Sequence, residues 1–259
     1  MKIYKLIKGQ FNKLSHLIAS NAPIWMIFSH FKLSYTHRLS NNRQKLIEQR
    51  DSFRELSKSL QIDTDWFSGN IPTWLKAFEA IRYDRECDLK CLEIGSWQGQ
   101  SAYFLLYYFN NAQLTCVDTW EGADEHKSGD AISNEILSNI EVTFDENLKE
   151  FKNRYEKYKG TSYQYFNDNF KRDKYDLVYI DGSHHVDDVI VDAVKAFEMI
   201  KEGGLLIFDD YFWHYYDNTI DNPSGAINAF LRMKKHQLKI ICFDYQLVLQ
   251  KTKSSIRQK

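Results

Sequence analysis

The hydrophobic positions of this chain fall into two regimes. In the first, Ile3, Leu6, Ile7, Phe11, Leu14, Leu17 and Ile18 recur at the three-and-four spacing of one helix face, while Lys2, Lys5, Lys8 and Lys13 take other faces. That pattern predicts a basic amphipathic helix. Pro23 breaks it, and the polar run from Ser34 to Asp51 reads as a further helix or a linker. In the second regime, beginning near Leu89, short apolar runs alternate with helical stretches, the signature of repeated βαβ units and a mostly parallel sheet. The runs are Leu89–Ile94, Gln113–Val117, a weak one before Gly160, Tyr175–Ile180, Leu205–Phe208, Lys239–Phe243 and Gln246–Gln250. Helices are expected over Gln100–Asn110, Ser162–Phe170, Asp187–Ile200 and Gly225–Lys235. Only Asp244 and Tyr245 separate the last two runs, too few residues for a parallel crossover, so these strands form a hairpin and the sheet ends antiparallel.

Composition adds bounds. At 259 residues, 43% hydrophobic and 15% aromatic, the chain is long and apolar enough for one large domain with an appendage. The net charge of −1 argues against a dedicated nucleic-acid binder, which needs a basic surplus. That total hides a split, because residues 1–50 carry nine Lys or Arg against the single acid Glu48, net +8, and the remainder is net −9. The first helix therefore has two readings: an extension packed on the domain or on a second subunit, or a segment docking on a membrane surface. Four cysteines without a CxxC pair read as small buried hydrophobes in a reducing compartment. The best membrane-span candidate, Leu14 to Phe31, is interrupted by His16, Asn21, Pro23 and His30 and lacks the order of a signal peptide, so a cytoplasmic protein is expected, peripheral to the membrane if the helix docks.

The candidate chemistry sits at the carboxyl ends of the predicted strands, where open α/β sheets bind ligands. The first strand runs into Glu93-Ile94-Gly95-Ser96-Trp97-Gln98-Gly99 and then a helix, a corner in which glycines admit a ligand to the backbone and the helix end offers free N–H groups. Asp118 ends the second strand, placed to accept from ribose hydroxyls. The spacing is not the GxGxxG of dinucleotide enzymes, and a carboxylate at Glu93 suits a cofactor with a positively charged amino-acid end. Asp181 follows the fourth strand and Asp209-Asp210 the fifth. Three carboxylates there repel one another unless a cation is present, and oxygen ligands suit Mg²⁺ or a similar hard ion; the plainer alternative is helix caps and turn residues. His184, three residues beyond Asp181, is placed to act as a general base, and His185 to begin the next helix. His16, His30, His37, His126, His214 and His236 read as structural. The acidic stretch from Asp118 to Glu150 reads as a solvated helical insertion or a substrate-covering lid, and the aromatics Tyr211 to Tyr216 as acceptor-pocket walls or core.

Several stretches, "CLEIGSWQGQSAYFLL", "VDTWEG", "YKGTSYQYF", "YDLVYIDGSHHVDDVIVDAVKAFEMIKEGGLLIFDDYFW" and "PSGAINAFL", resemble in order class I S-adenosylmethionine-dependent methyltransferases. More narrowly they resemble the metal-dependent sugar O-methyltransferases of macrolide biosynthesis. The resemblance covers about residues 72–250 and not the first 70. It implies a Rossmann-like doubly wound α/β fold with a mostly parallel seven-stranded sheet, preceded by a basic helical extension over 1–70, with the methyltransferase domain over 71–259. It also implies that Glu93, Gly95, Ser96 and Gly99 hold the methionine end of the cofactor, Asp118 the ribose and Ser162 the adenine. Asp181, Asp209 and Asp210 match the metal triad and His184 the proposed base; Asp209 stands where some relatives carry the longer Glu.

The function implied is O-methylation of a sugar or glycoconjugate hydroxyl, using S-adenosyl-L-methionine and Mg²⁺ or a similar divalent cation. Alternatives are a lipid-linked or phenolic acceptor on the same site, or a noncatalytic cofactor-binding subunit; a hydride-transferring enzyme is disfavoured by the missing pyrophosphate fingerprint. The expected partners are a small-molecule or glycan acceptor, no nucleic acid, a peripheral membrane contact through residues 1–50, and a second copy of the chain. Deleting residues 1–50 is expected to leave cofactor affinity largely unchanged and to alter solubility, assembly or membrane association.

Overall fold

The computed structural model describes residues 2–38, 42–123 and 132–252. Three helices precede the sheet region: α1 (Lys2–Ala19), α2 (Ile24–Arg38) and α3 (Arg43–Ser57). They lead to α4 (Ile71–Ile81), and then β1 (Lys90–Ile94), α5 (Gln100–Tyr108), β2 (Gln113–Asp118), α6 (Asn134–Asn147) and β3 (Tyr155–Lys159) follow. The chain continues through α7 (Ser162–Asn169), β4 (Tyr175–Ile180), α8 (Val186–Met199), β5 (Ile200–Phe208), α9 (Pro223–Lys234), β6 (Leu238–Phe243) and β7 (Leu247–Lys251). Pattern and structure agree on the strands to within a residue or two, except that β5 begins earlier, at Ile200, so that α8 passes into it without a loop.

The seven strands order as β3-β2-β1-β4-β5-β7-β6, a Rossmann-like mostly parallel sheet in which β7 runs antiparallel to both neighbours. The order reverses between β1 and β4, which opens a crevice at their carboxyl ends. Along β4 and β5 the period-two alternation of a pleated strand divides the side chains. Leu177, Tyr179, Leu205 and Ile207 enter one apolar cluster, and Val178, Ile180, Leu206 and Phe208 the other. Both faces are covered, which is why these strands read as unbroken apolar runs.

The first 70 residues share these two clusters. Leu46 and Phe53 of α3 lie with Trp74 and Phe104, whereas Leu17 and Met26 lie with Phe230 and Leu247. Polar contacts reinforce the docking: His16 Nε2 lies 3.0 Å from the Tyr211 carbonyl oxygen, and the Asn228 amide donates to the Ser20 carbonyl at 2.9 Å. The acidic stretch beyond Asp118 contributes α6, whose Ile140 and Phe144 are fully buried and whose Glu141 and Asp145 pair with Lys157 at 3.0 and 2.7 Å. It is the crossover helix between β2 and β3; residues 124–131 of the predicted insertion, His126 among them, lie outside the described residues, as does the side chain of His37.

Candidate active site

Two groups of polar residues flank the crevice. At the first, β1 turns into α5 through Gly95 (φ 84°), Trp97 (φ 47°) and Gly99 (φ 83°). A Cβ on Gly95 would lie 2.0 Å from the backbone oxygen of Asp181. The turns after β1 and β4 therefore touch backbone to backbone, a contact that only glycine permits. Glu93 is fully buried and accepts from the hydroxyls of Ser96 and Ser101, both at 2.6 Å. Burial pushes its carboxyl up to about 7, with the two serine hydroxyls opposing that rise. Glu93 thus clamps the turn from beneath. Asp118 Oδ2 accepts the backbone N–H groups of Ser96 and Trp97 at 2.7 and 2.9 Å, and its Oδ1 accepts that of Trp120 at 2.6 Å. A carboxylate offers about four lone-pair positions, so one on Oδ1 is left for a ligand hydroxyl. The arrangement is able to take a nucleoside with an amino-acid arm, with Gly95, Ser96 and Gly99 on the turn beside Asp118.

Ser162 stands apart from that turn. It opens α7 behind a capping box made by Thr161 and Gln164, and α7 packs against α8, where burial pushes the Asp192 carboxyl up to about 7 with the Ser162 hydroxyl opposing that rise.

The second group gathers at the ends of β4 and β5. One ligand atom each from Asp181, His184 and Asp210 lies within 4.8 Å of the others, an arrangement able to hold a cation. His184 Nε2 is 2.7 Å from Asp210 Oδ2, Tyr245 donates to Asp210 Oδ1 at 2.6 Å, and the His184 ring lies 4.4 Å from Trp213. Asp209 is placed differently. It accepts from Tyr179, from the Gln246 amide at 2.7 Å and from the Asp210 backbone N–H at 2.8 Å, so it lies behind the other two acids as their support. Tyr179 also reaches Asp181 Oδ2 at 2.8 Å, and one phenol proton cannot serve two carboxylates. Burial, and then the neighbouring carboxylates, push Asp209 up to about 7 and Asp181 well above the usual carboxylate range. Crowded, under-donated acids of this kind suit a hard divalent ion. His184, predicted as the base, thus shares one group with two of the three predicted metal acids.

Tyr179, Tyr245 and Gln246 were not singled out from the sequence. Tyr179 carried a signal, because it precedes Asp181 by two on a strand and therefore shares its face; the hairpin-turn residues Tyr245 and Gln246 carried none. Of the aromatics after the acid pair, Tyr211 is core, Phe212 stacks on Phe243, and Trp213 and Tyr215 stack beside His184. His185 occupies the N-cap position of α8, as its place before the helix predicts.

Comparisons with known proteins bear on the fold that carries these groups. Residues 92–211 match a family described as a methyltransferase domain. Among solved structures, the fold is similar to that of the MycE methyltransferase from the mycinamycin biosynthetic pathway, in complex with Mg and SAH (15% identity, TM-score 0.53). The match covers 80% of this chain and 56% of that one, so the chain spans little more than half the length of this relative. The same protein with Mg, SAH and mycinamycin VI gives the same values. Cofactor-bound Rv0187 from MTB is also similar (13% identity, TM-score 0.50), with 81% of this chain and 91% of that one covered. No curated protein matches the chain.

Proposed function

We propose, from the match of residues 92–211 to a family described as a methyltransferase domain, that the chain methylates a hydroxyl of a sugar or glycoconjugate, with S-adenosyl-L-methionine as donor and a divalent cation as helper. The observation that carries this reading is the backbone contact between Gly95 and Asp181, which sets the nucleoside-type turn directly against the carboxylate cluster. S-adenosylmethionine supplies a methyl group already activated on a sulfonium. What remains for the protein is alignment of the acceptor oxygen and removal of its proton. Asp118 would hold the ribose through its remaining lone pair, and the Gly95 to Gly99 turn would shape the amino-acid end. Asp181 and Asp210 would hold the cation, with Asp209, Tyr179 and Gln246 fixing their orientation from behind. When bound there, a cation would supply Lewis-acid chemistry that lowers the pKa of an acceptor hydroxyl. His184, hydrogen-bonded to Asp210, is the residue best placed to take the proton. The complex of MycE with Mg, SAH and mycinamycin VI supports the reading by analogy of fold.

The test is calorimetry with S-adenosylmethionine and with NAD, with and without Mg²⁺, followed by a screen of glycans and glycolipids for release of S-adenosylhomocysteine. Binding of S-adenosylmethionine alone, and turnover of vicinal diols that a chelator stops, is the expected outcome. Turnover indifferent to chelator would remove the cation, turnover confined to phenols or lipid-linked hydroxyls would replace the acceptor class, and binding without turnover of any acceptor would leave a noncatalytic subunit.

For the N-terminal helices we propose contact with an anionic membrane surface. Residues 1–47 hold eight Lys or Arg and no acid. Phe11 and Ile18 of α1, and Ile24, Phe28 and Tyr35 of α2, are exposed at spacings of four or seven that keep them on one face of each helix. Among the described residues no helix is long and apolar enough to cross a membrane. Co-sedimentation with phosphatidylserine vesicles but not phosphatidylcholine vesicles is expected; a stable dimer by light scattering that fails to sediment with either would assign the face to a second copy.

A further inference from the structure

Beside the carboxylate cluster lies a second cavity, of about 280 Å³, whose lining is cationic. Lys13 from α1, Arg43 from the start of α3 and Lys76 from α4 face it, together with the hydroxyls of Ser34 and Thr73 and the carboxylate of Asp244. Lys13 is paired with Asp244 at 2.6 Å. Arg43 and Lys76 have no ion-pair partner among the described residues. Three cations from three helices, against one acid, leave this space with a surplus of positive charge, the reverse of the acid cluster next to it.

The two spaces share a wall. The β6–β7 turn sends Asp244 into the cavity, Tyr245 onto Asp210 at 2.6 Å and Gln246 onto Asp209 at 2.7 Å. Phe243, which lines the cavity, stacks on Phe212, two residues after Asp210, and Lys13 lies 5.0 Å over that same ring. A molecule presenting a hydroxyl to the carboxylate cluster would extend past this turn and aromatic pair toward the cations. A volume near the lower end of ligand pockets, about 300 Å³, suits one charged substituent and not a second large molecule. Arg and Lys with neighbouring hydroxyls are the donors that recognise oxyanions.

We infer that this cavity binds an anionic group, a phosphate or a carboxylate, carried by the methyl acceptor. The part concerning the acceptor rests on the proposed methyltransferase function; the anion site stands on its own lining. The consequence is a division of labour across one substrate: the acid cluster handles the reacting hydroxyl and the basic cavity measures what lies beyond it. The N-terminal helices would then contribute to acceptor choice, since Lys13 and Arg43 belong to them.

The experiment is a calorimetric titration of the full chain, in chelator, with glucose 1-phosphate, glucuronate and neutral glucose, with S-adenosylmethionine titrated separately. At least one anionic sugar is expected to bind saturably and glucose not to bind, and the stronger of the two identifies the group as phosphate or carboxylate. In the double variant Arg43→Gln/Lys76→Gln, anion affinity should fall at least about tenfold while S-adenosylmethionine affinity and thermal midpoint stay unchanged. Anion binding that the double variant leaves intact, or no binding of either anion up to about 10 mM, would overturn the site. Failure of S-adenosylmethionine to bind, with anion binding retained and lost in the variant, would overturn the methyltransferase reading and the acceptor assignment while leaving the anion site.

Discussion

The carboxylates at the two ends of the crevice are the same functional group under opposite regimes. At β1 and β2, Glu93 and Asp118 meet five donors between them: two serine hydroxyls and three backbone N–H groups. Their geometry is closed by the chain itself, and they serve to hold a turn. At β4 and β5, Asp181 and Asp209 share the single phenol proton of Tyr179, Asp209 also accepts from Gln246 and the Asp210 backbone N–H, and Asp210 is met by Tyr245 and His184. Their charge is left incompletely answered by the protein. The first regime builds a rigid cradle, and the second crowds carboxylates into a set that suits a cation. The Gly95–Asp181 contact joins them, so each can be broken separately or both together.

The largest effect is expected from breaking the under-donated end alone. Asp181→Asn, or His184→Ala, should lower methyl transfer by at least about a thousandfold, because acceptor activation is lost. S-adenosylmethionine affinity, measured by calorimetry, should change by less than about twofold, since no donor to Asp118 or Glu93 is touched. Turnover within tenfold of the parent protein in either variant would remove these residues from the reaction. Breaking the joint is next. Gly95→Ala must place a Cβ into the Asp181 carbonyl at a left-handed φ, and a loss of more than about 3 kcal/mol of stability by denaturant unfolding is expected, with cofactor and Mg²⁺ binding lost together.

How far the sequence revealed this follows the same division. Strand ends, the glycine turn and the order of the acids were legible because period-two runs and left-handed glycines are local properties, written in neighbouring residues. The roles within the second cluster were not. That Asp209 supports Asp181 and Asp210 depends on Tyr179 and Gln246, which lie 30 and 37 residues from it. The placement of Ser162 near Asp192 likewise depends on how α7 packs against α8. The N-terminal helices looked separable because their charge differs from the rest, yet Leu17, Met26, Leu46 and Phe53 sit in the shared cores, and hydropathy patterns do not say which core an apolar face will join. For the same reason, truncation of residues 1–50 is expected to cost stability as well as to alter assembly.

The well-donated end gives a smaller but cleaner signal in pH. Burial holds the Glu93 carboxyl at about 7, above its ordinary value of 4.5, so the native state takes up this proton more readily than the unfolded chain. The stability this group contributes is therefore full below about pH 4.5, falls as pH rises through about 7, and is level above. The total fall is on the order of 3 kcal/mol. Asp209, also held at about 7, slopes the same way over the same window, as does Asp192. Mg²⁺ separates the two ends. A cation favours the ionised form of the second cluster and should flatten its share of the slope, leaving the Glu93 share in place. Glu93→Gln should remove the remainder when Mg²⁺ is saturating and do so without lowering Mg²⁺ affinity. Identical pH–stability curves for Glu93→Gln and the parent protein under saturating Mg²⁺ would dissolve the distinction between the two regimes.

The smallest effect tests how finely the second end is tuned. Tyr245→Phe deletes one hydroxyl, the donor to Asp210 Oδ1, and leaves the ring and the hairpin turn in place. A hydrogen bond to a charged group contributes about 1.5–3 kcal/mol, and the Asp210 side chain is 17% exposed, so water offsets part of its loss. Mg²⁺ affinity should therefore change by only about three- to tenfold, with S-adenosylmethionine binding unaltered. The direction is informative. If the hydroxyl mainly orients Asp210, the variant binds Mg²⁺ more weakly; if it mainly answers charge that the cation would otherwise answer, the variant binds it more tightly. Orientation is the expected outcome, because Asp210 is also held through His184 at 2.7 Å and its backbone sits at a left-handed φ of 55°, a conformation a non-glycine residue keeps only where its surroundings hold it. Calorimetric titration of Mg²⁺ into the parent and Tyr245→Phe proteins decides between them, and tighter binding in the variant would make the phenol a competitor of the cation and not its guide.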